Sequence, residues 1–356
     1  MAWSVDWSVS IGGADRSEDM RPYLINIEVA DKEGTSSDTC SLTFDDSDGQ
    51  LKLPPEGVAI AITLDGFPAF NGTVDKVRST GSRGGGRELK VTGKGFDSRG
   101  KAKEGQSFHR DDATLKEFLE EAAENAGFSL SIDPQLASIR RDYWAADSEN
   151  FMALGERIAR EVNGTFKLRG TKAVLVKRGG DQLPPIAGTV GPGGNVISWD
   201  IAPFTGRGKF TRAEVRWFDR DEAKFKSTEV EIEADDDAPD VANIVRMPVG
   251  DEEQAKLRAE GRKSEAEREA GDGTVELDIT PDAQAESPFT LSGARPGVDG
   301  TYRITDVKHK ANRSGGATTS ISIKQPGAGV GKDTRKSGSA PSDPDDGDLA
   351  PVPGLS

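Results

Sequence analysis

Four Gly-Lys pairs invite a phosphate-binding reading, because a Gly-rich turn followed by Lys and a hydroxyl residue at a helix start can cradle phosphate oxygens with backbone N–H groups. Each pair fails at the next residue. Gly93-Lys94 is followed by Gly95, Gly100-Lys101 by Ala102, Gly208-Lys209 by Phe210 and Gly331-Lys332 by Asp333. The run Asp45-Asp46-Ser47-Asp48-Gly49 has the composition of a calcium loop. With Gly49 at the sixth position, however, the first ligand is Phe44 and the twelfth is Pro55 instead of a bidentate Glu, so the run reads as a solvated turn. His109 has Asp112 three residues on, His309 has no comparable neighbour, and with the single Cys40 they cannot close a zinc site without carboxylates. His109 is expected on a surface loop, and Cys40 as a plain packing residue in the alternating run Ser41-Leu42-Thr43-Phe44. No Gly-x-Ser-x-Gly elbow is present. Paired carboxylates could serve glycoside hydrolysis, but most of the 61 Asp and Glu residues fall in charged runs whose default is a solvated face. The sequence therefore predicts neither an enzyme, nor a metal, nor a cofactor.

Charge and composition narrow the classes further. The formal charge of −15 opposes wrapping of nucleic acid, whose affinity comes from Lys and Arg neutralising phosphates. That charge is uneven: residues 73–110 carry ten Lys or Arg against four Asp or Glu, and residues 219–240 carry three against ten. Opposite patches on one chain suit self-association or a charged partner. One cysteine excludes an intrachain disulfide scaffold. The first residues, Met1-Ala2-Trp3-Ser4-Val5-Asp6-Trp7, show no basic-then-apolar leader, and no apolar run approaches the ~18 residues of a membrane span, so no membrane partner is expected and folding is expected in the cytoplasm.

The elements that must position any site are short strands and a few helices. With 42 Gly and 19 Pro the composition favours strands joined by tight turns. Strands are predicted at 24–29, 40–44 and 58–64. Thr114-Leu115-Lys116-Glu117 is a capping box opening a helix with the stripe Leu115, Phe118, Leu119 and Ala122, closed by Gly127. A second helix, capped by Asp147 or Ser148, lines Phe151, Leu154, Ile158, Ala159 and Val162 on one face and ends at Asn163-Gly164. Segments 165–168 and 173–176 form a hairpin across an Arg-Gly turn. Strands are expected again at 196–201, 212–218, 228–233, 274–279, 301–309 and 318–324, with a charged, largely exposed helix over 251–270. Trp144, Trp199 and Trp217 read as core. Asn-Gly at Asn71 and Asn163 reads as turns, and after Pro326 the composition is that of an extended segment.

The most informative feature is a likeness between the two β-rich ends. Asn71-Gly72-Thr73 leads through a strand to the loop Ser82-Arg83-Gly84-Gly85 and the return strand Glu88 to Thr92. Asp299-Gly300-Thr301 leads to Asn312-Arg313-Ser314-Gly315-Gly316 and the return strand Thr318 to Ile323. These read as two copies of one hairpin ~230 residues apart, far beyond solenoid periods.

The order Thr114-Leu115-Lys116-Glu117-Phe118-Leu119, Ala126-Gly127-Phe128, Asp147-Ser148-Glu149-Asn150-Phe151-Met152-Ala153-Leu154 and Asn163-Gly164-Thr165-Phe166-Lys167 resembles the phage late control D family of tail hub proteins. Leu291 to Tyr302 resembles the last barrel of that family, and the likeness runs over roughly residues 20–325. The resemblance implies a β-rich α+β fold: a first tube-type β-barrel domain at 1–100, an inserted α/β domain of two helices and a β-hairpin at 101–180, a second tube-type β-barrel domain with a charged helix at 181–325, and an extended acidic C-terminal segment at 326–356. It also implies a homotrimer whose six barrels join a six-fold tail tube protein to a three-fold central spike protein among other baseplate subunits. DNA would pass its channel without specific binding. The expected location is the virion tail or baseplate, assembled in the bacterial host cytoplasm. Candidate interface residues are Arg83, Arg87 and Arg313 on the basic loops and Asp343, Asp345, Asp346 and Asp348 in the C-terminal segment. The rival readings are a peptidoglycan- or glycan-cleaving baseplate enzyme, a carbohydrate-binding module, and the hub of a phage-derived contractile injection particle.

Overall fold

The computed structural model describes residues 3–34, 37–97, 99–179, 183–204, 210–232, 240–325 and 330. Asp343, Asp345, Asp346 and Asp348, and the proposed extended C-terminal segment apart from Val330, lie outside them. The first part of the chain forms β1 (Trp7–Ile11), β2 (Ala14–Asp15), α1 (Ser17–Met20), β3 (Leu24–Lys32), β4 (Thr39–Asp45), β5 (Ala59–Leu64), β6 (Phe67–Ser82) and β7 (Gly86–Lys94). The middle forms β8 (Gly105–Thr114), α2 (Leu115–Ala126), β9 (Ser129–Ile132), α3 (Pro134–Ala137), β10 (Arg140–Asn150), α4 (Phe151–Glu161), β11 (Gly164–Arg169) and β12 (Lys172–Lys177). The last part forms β13 (Ile186–Thr189), β14 (Val196–Ala202), β15 (Arg212–Asp219), β16 (Lys224–Glu231), β17 (Ala242–Val249), α5 (Glu252–Arg268), β18 (Asp272–Asp278), β19 (Pro288–Ser292), β20 (Gly300–Asn312) and β21 (Gly316–Lys324). The fold is mostly β with few helices.

One large sheet carries both ends of the chain. Its path is β14-β18-β21-β20-β3-β4-β7-β6-β5-β1-β2, with β19 on β20 and β13 on β19. Alternate residues of its two halves fill two separate cores. The first gathers Trp7, Leu24, Ile27, Leu42, Ile60, Ile62, Phe70 and Val91, and the second Phe289, Leu291, Tyr302, Ile304, Ile321 and Ile323. Among the described residues the strand pairing leaves both halves open.

The two halves repeat each other residue for residue across five strands, with β3-β4-β7-β6-β5 answered by β14-β18-β21-β20-β19. Thr39 to Asp45 pair with Lys94 to Glu88 just as Asp272 to Asp278 pair with Lys324 to Thr318. A bulge separates Val74↔Gly93 from Lys76↔Thr92, and its equivalent separates Ile304↔Ile323 from Asp306↔Ser322. Another separates Leu24↔Phe44 from Asn26↔Thr43, answered by Val196↔Leu277 and Ser198↔Glu276. Bulges are specific local devices, so their recurrence at matched positions marks one pattern used twice. Only the outermost strand differs: β1 runs antiparallel to β5, and β13 parallel to β19.

This register corrects the reading of Asn71-Gly72 as a turn. Both residues sit inside β6, opposite Ala61 and Ile60. The turn falls instead at Asp65-Gly66, where both residues have positive φ (46° and 80°), as a two-residue hairpin turn requires. Gly72 is needed because a Cβ there would lie 1.9 Å from the Lys94 carbonyl oxygen.

The middle unit surrounds its own core of Phe118, Leu119, Phe128, Trp144, Phe151, Leu154, Ile158 and Phe166. The capping box at Thr114 and Glu117 is formed, and Gly127 closes α2 in the left-handed conformation. The cap of α4 is Asn150, not Asp147 or Ser148, because β10 runs on to Asn150, whose side chain accepts from the Ala153 N–H at 3.0 Å. The antiparallel pairing of β8 with β10, which brackets α2, β9 and α3, gave no clear sequence signal. Strands 212–218 and 228–233 do not join the large sheet. They form β15 and β16 of a separate three-stranded sheet with β17, on which α5 packs through Ala255 and Ala259 against Ala213, Val215 and Val245.

Gly155 faces the Phe166 ring, which lies 2.3 Å from where a Cβ would stand. Gly155→Ala is expected to destabilise the chain by about 1–3 kcal/mol despite better helix propensity. Urea unfolding of the two proteins measures it.

Candidate assembly surface

The buried polar chemistry of the chain is concentrated where its units meet. At the end of β3, Asp31 accepts from Lys167 Nζ at 2.8 Å and from the Ala285 N–H at 3.0 Å, and Lys167 also donates to Asp38 at 3.0 Å. Arg169 reaches the same Asp38 at 3.2 Å. Beside them Arg268, in the last turn of α5, bonds Glu33 and, at 2.9 Å, Glu286; Thr165 donates to Glu286 at 3.0 Å, and Arg178 stands 3.3 Å from Glu33. Burial raises the Asp38 and Glu33 carboxyls, helped by the neighbouring Asp31 and Glu286 charges. Against the same burial, Lys167 holds Asp31 below the usual carboxylate range, and Arg268 does so for Glu286. Side chains of both β-rich halves, the middle unit and α5 thus share one cluster. Single-residue sequence reading missed it, since its members are far apart in the chain.

The intrachain seam between the halves is the antiparallel pair β20–β3, from Asp306↔Lys32 to Asn312↔Asn26. Ala311, 0% exposed, covers Ile27 on the core side, and Lys308 bonds Glu28 across the outer face at 2.9 Å. Two other strand edges have no such cover. Lys76 to Ser82 of β6 pair only with β7, and β14 pairs only with β18, among the described residues.

Arg83 lies in the turn of the β6–β7 hairpin and Arg313 in the matching turn of β20–β21. Arg313 donates to the Pro22 carbonyl at 2.7 Å, so it is engaged within the chain. Arg87 lies over the 45–49 turn, its carbonyl accepting from the Asp46 N–H. Arg313 also acts on the Asp45 carboxylate, so it and Arg87 flank the same turn. Trp144 is buried, with its Nε1 donating to the Ala113 carbonyl, and Trp217 is half-buried. Trp199 is 43% exposed, contrary to the core reading, because β14 is an edge strand. His109 is exposed but on β8, stacked on Tyr143, while His309 is buried and hydrogen-bonded to Thr319. Cys40 is buried, which pushes its thiol up to about 12. Asp45 accepts from the Ser47 N–H and hydroxyl in a turn closed on itself.

A polar groove of about 530 Å³ between β10, α4 and the start of α5 holds Glu149 and Glu161. Arg157 bonds both, and Arg141 reaches Glu161 at 2.7 Å. Although burial opposes it, these arginines hold Glu161 below the usual range, the reverse of what a general acid needs.

The fold is that of phage tail proteins. It superposes on a tail protein of prophage MuSo2 from Shewanella oneidensis with a TM-score of 0.71, 14% identity, and coverage of 91% of this chain and 99% of that one. It also superposes on the E. coli c3393 protein, described as a component of the type VI secretion system, with a TM-score of 0.57, 10% identity, and coverage of 92% and 79%. In sequence, the chain is 22% identical over 224 residues to the probable baseplate hub protein of Escherichia phage P2. That match takes in 60% of this chain and 56% of the relative's length. No protein-family model matches the chain.

Arg268→Met would leave buried Glu33 with Arg178 alone and buried Glu286 with Thr165 and the more distant Arg178, a loss of roughly 3 kcal/mol at pH 7. Without the arginine both carboxyls are expected to titrate higher than in the parent, Glu33 further above its unfolded value. The variant's deficit should therefore be full above those raised values and shrink as pH falls through them. Denaturant midpoints of parent and variant at pH 7 and pH 5 test this, and an equal deficit at both would refute it.

Proposed function

We propose that this chain is the hub subunit of a phage-type tail baseplate, of the late control D kind, acting as a structural assembly protein and not as an enzyme. The observation that carries the reading is the register-matched repeat of β3-β4-β7-β6-β5 in β14-β18-β21-β20-β19. A chain with two equivalent sheet units can present six to a six-fold tail tube when three chains close into a ring, and the same ring seats a three-fold central spike. In that assembly each unit curls into a tube-type barrel, with domains at 1–100, 101–180 and 181–325 and an extended segment beyond. Similarity to a curated baseplate hub and to tail-protein folds supports the reading. The likeness to a type VI secretion component supports a second setting for the same role, a phage-derived contractile injection particle.

Its location would be the virion tail, with tube, spike and other baseplate subunits as partners. The net charge of −15 fits a channel that DNA crosses without sticking, since an acidic wall releases no counterions on contact. A bore lined mainly by Lys and Arg would contradict this.

Light-scattering mass of the purified chain, alone and with the spike protein, is expected to give three chains. A monomer at all concentrations, with the spike present, refutes the hub reading. The acidic residues Asp343, Asp345, Asp346 and Asp348 are proposed to meet basic groups on a partner. Deleting residues 327–356 should leave the trimer intact and weaken its association with spike or tube; full assembly of the truncated chain at moderate salt would show the segment to be a linker only.

A further inference from the structure

An exposed strand edge is a template for another strand, and natural proteins leave one uncovered chiefly where a partner belongs. Here the repeat specifies the partner. Within the chain, β20 of the second unit lies along β3 of the first. The counterpart of β3 is β14, and the counterpart of β20 is β6. Among the described residues of one chain, β14 and the far half of β6 are both open edges. The difference shows in burial at matched positions. Ile27 of β3 is 0% exposed, while its counterpart Trp199 is 43% exposed, with Ile197 at 51% beside it.

We propose, resting on the hub reading, that β14 of each chain is covered by Lys76–Ser82 of a second copy of this chain, in the register of the internal β20–β3 seam. Carrying that register over pairs Arg78 with Ala202, Ser79 with Ile201, Thr80 with Asp200, Gly81 with Trp199 and Ser82 with Ser198. The chemistry agrees at each face. Ala311 opposite Ile27 becomes Gly81 opposite Trp199, a small residue facing a large one in both seams. The Lys308–Glu28 ion pair becomes Arg78 against Asp200, again a cation from the hairpin and an anion from the edge. The Arg313 N–H that donates to the Ile25 carbonyl becomes that of Arg83 on Ile197, which gives Arg83 the seam position. Each chain offers one edge of each kind, so the contact is head-to-tail, and it closes into a ring when the rotation per chain allows.

The test is a disulfide trap. The Arg313-to-Ile25 and Glu33-to-Thr305 bonds flank Asn312↔Asn26 and Asp306↔Lys32, which makes these, and every second pair between them, the close non-hydrogen-bonded kind. Thr80 and Asp200 match such a pair, Lys310↔Glu28, so Thr80→Cys with Asp200→Cys should oxidise between chains. Buried Cys40 stays out of the reaction, as the parent chain would show. On a non-reducing gel most of the double variant should shift to two and three linked chains and no more. Arg78→Cys with Ser198→Cys, on the same face but four residues out of register, should remain unlinked. Independently, Arg78→Glu or Asp200→Lys alone should lose trimer at a concentration where the parent is assembled, and the two together should regain it. A trimer by mass that links in neither cysteine variant and ignores both charge reversals overturns this seam while leaving the hub reading intact. A chain that neither links nor associates overturns both, and a ladder running past three confirms the seam but overturns the three-fold ring.

Discussion

Every unit of the molecule is tied to one buried charge cluster around the short segment joining β3 to β4. Asp31 stands at the end of β3, and Glu33 and Asp38 stand along that segment. Lys167 and Arg169 from the middle unit grip its two ends, and Arg268 from α5 binds its middle together with Glu286 of the second half. Burying charges costs several kcal/mol per ion, so such a cluster is retained for the arrangement it enforces more than for net stability. What it enforces is orientation. A cation displaced by one residue in register would leave carboxylates without partners in a dry interface, so the units are held in one mutual geometry.

The cluster also explains the placement of the insertion. In the first half β3 and β4 are joined by a few residues. In the second, the matched strands β14 and β18 are separated by β15, β16, β17 and α5. The added sheet has its own small core beneath α5, and the helix delivers Arg268 at its last turn just before β18 begins. Thus the long connection of one copy is anchored on the short connection of the other. An insertion that ended without that contact would place an independent lobe beside the sheet and loosen the path into β18.

How much of this was legible in the sequence depended on the range of the interactions. The caps at Thr114 and Gly127, the apolar stripes of α2 and α4, and the hairpin at 164–177 follow from neighbours within a few residues, and they were readable. The paired hairpins were visible as composition, yet the Asn-Gly and Asp-Gly motifs misled the alignment by two residues, because Gly72 serves close approach to the Lys94 carbonyl and not a turn. Trp199 was misread because exposure of a strand residue depends on what lies beside the strand, which no local pattern records. The charge cluster was invisible for the same reason: Glu33, Arg178, Arg268 and Glu286 each sit in unremarkable polar surroundings along the chain.

The repeat finally accounts for why two strands of the same pattern carry such different residues. β3 and β14 share register and bulge position, but β3 presents Ile27 and Val29 to a covered core, while β14 leaves Trp199 exposed at an edge and packs only Ile201 on the second core. Were β14 meant to face water, negative selection against edge pairing would favour charge, proline or shortening there. Instead it holds Ile197, Trp199 and Ile201 within one short strand, with Phe204, 68% exposed, just beyond it. Aromatic and β-branched residues on an open edge stabilise a sheet only when a further strand supplies the cross-strand neighbours. The divergence of the two copies is therefore what a chain needs if one seam is made within itself and the equivalent seam is left for assembly.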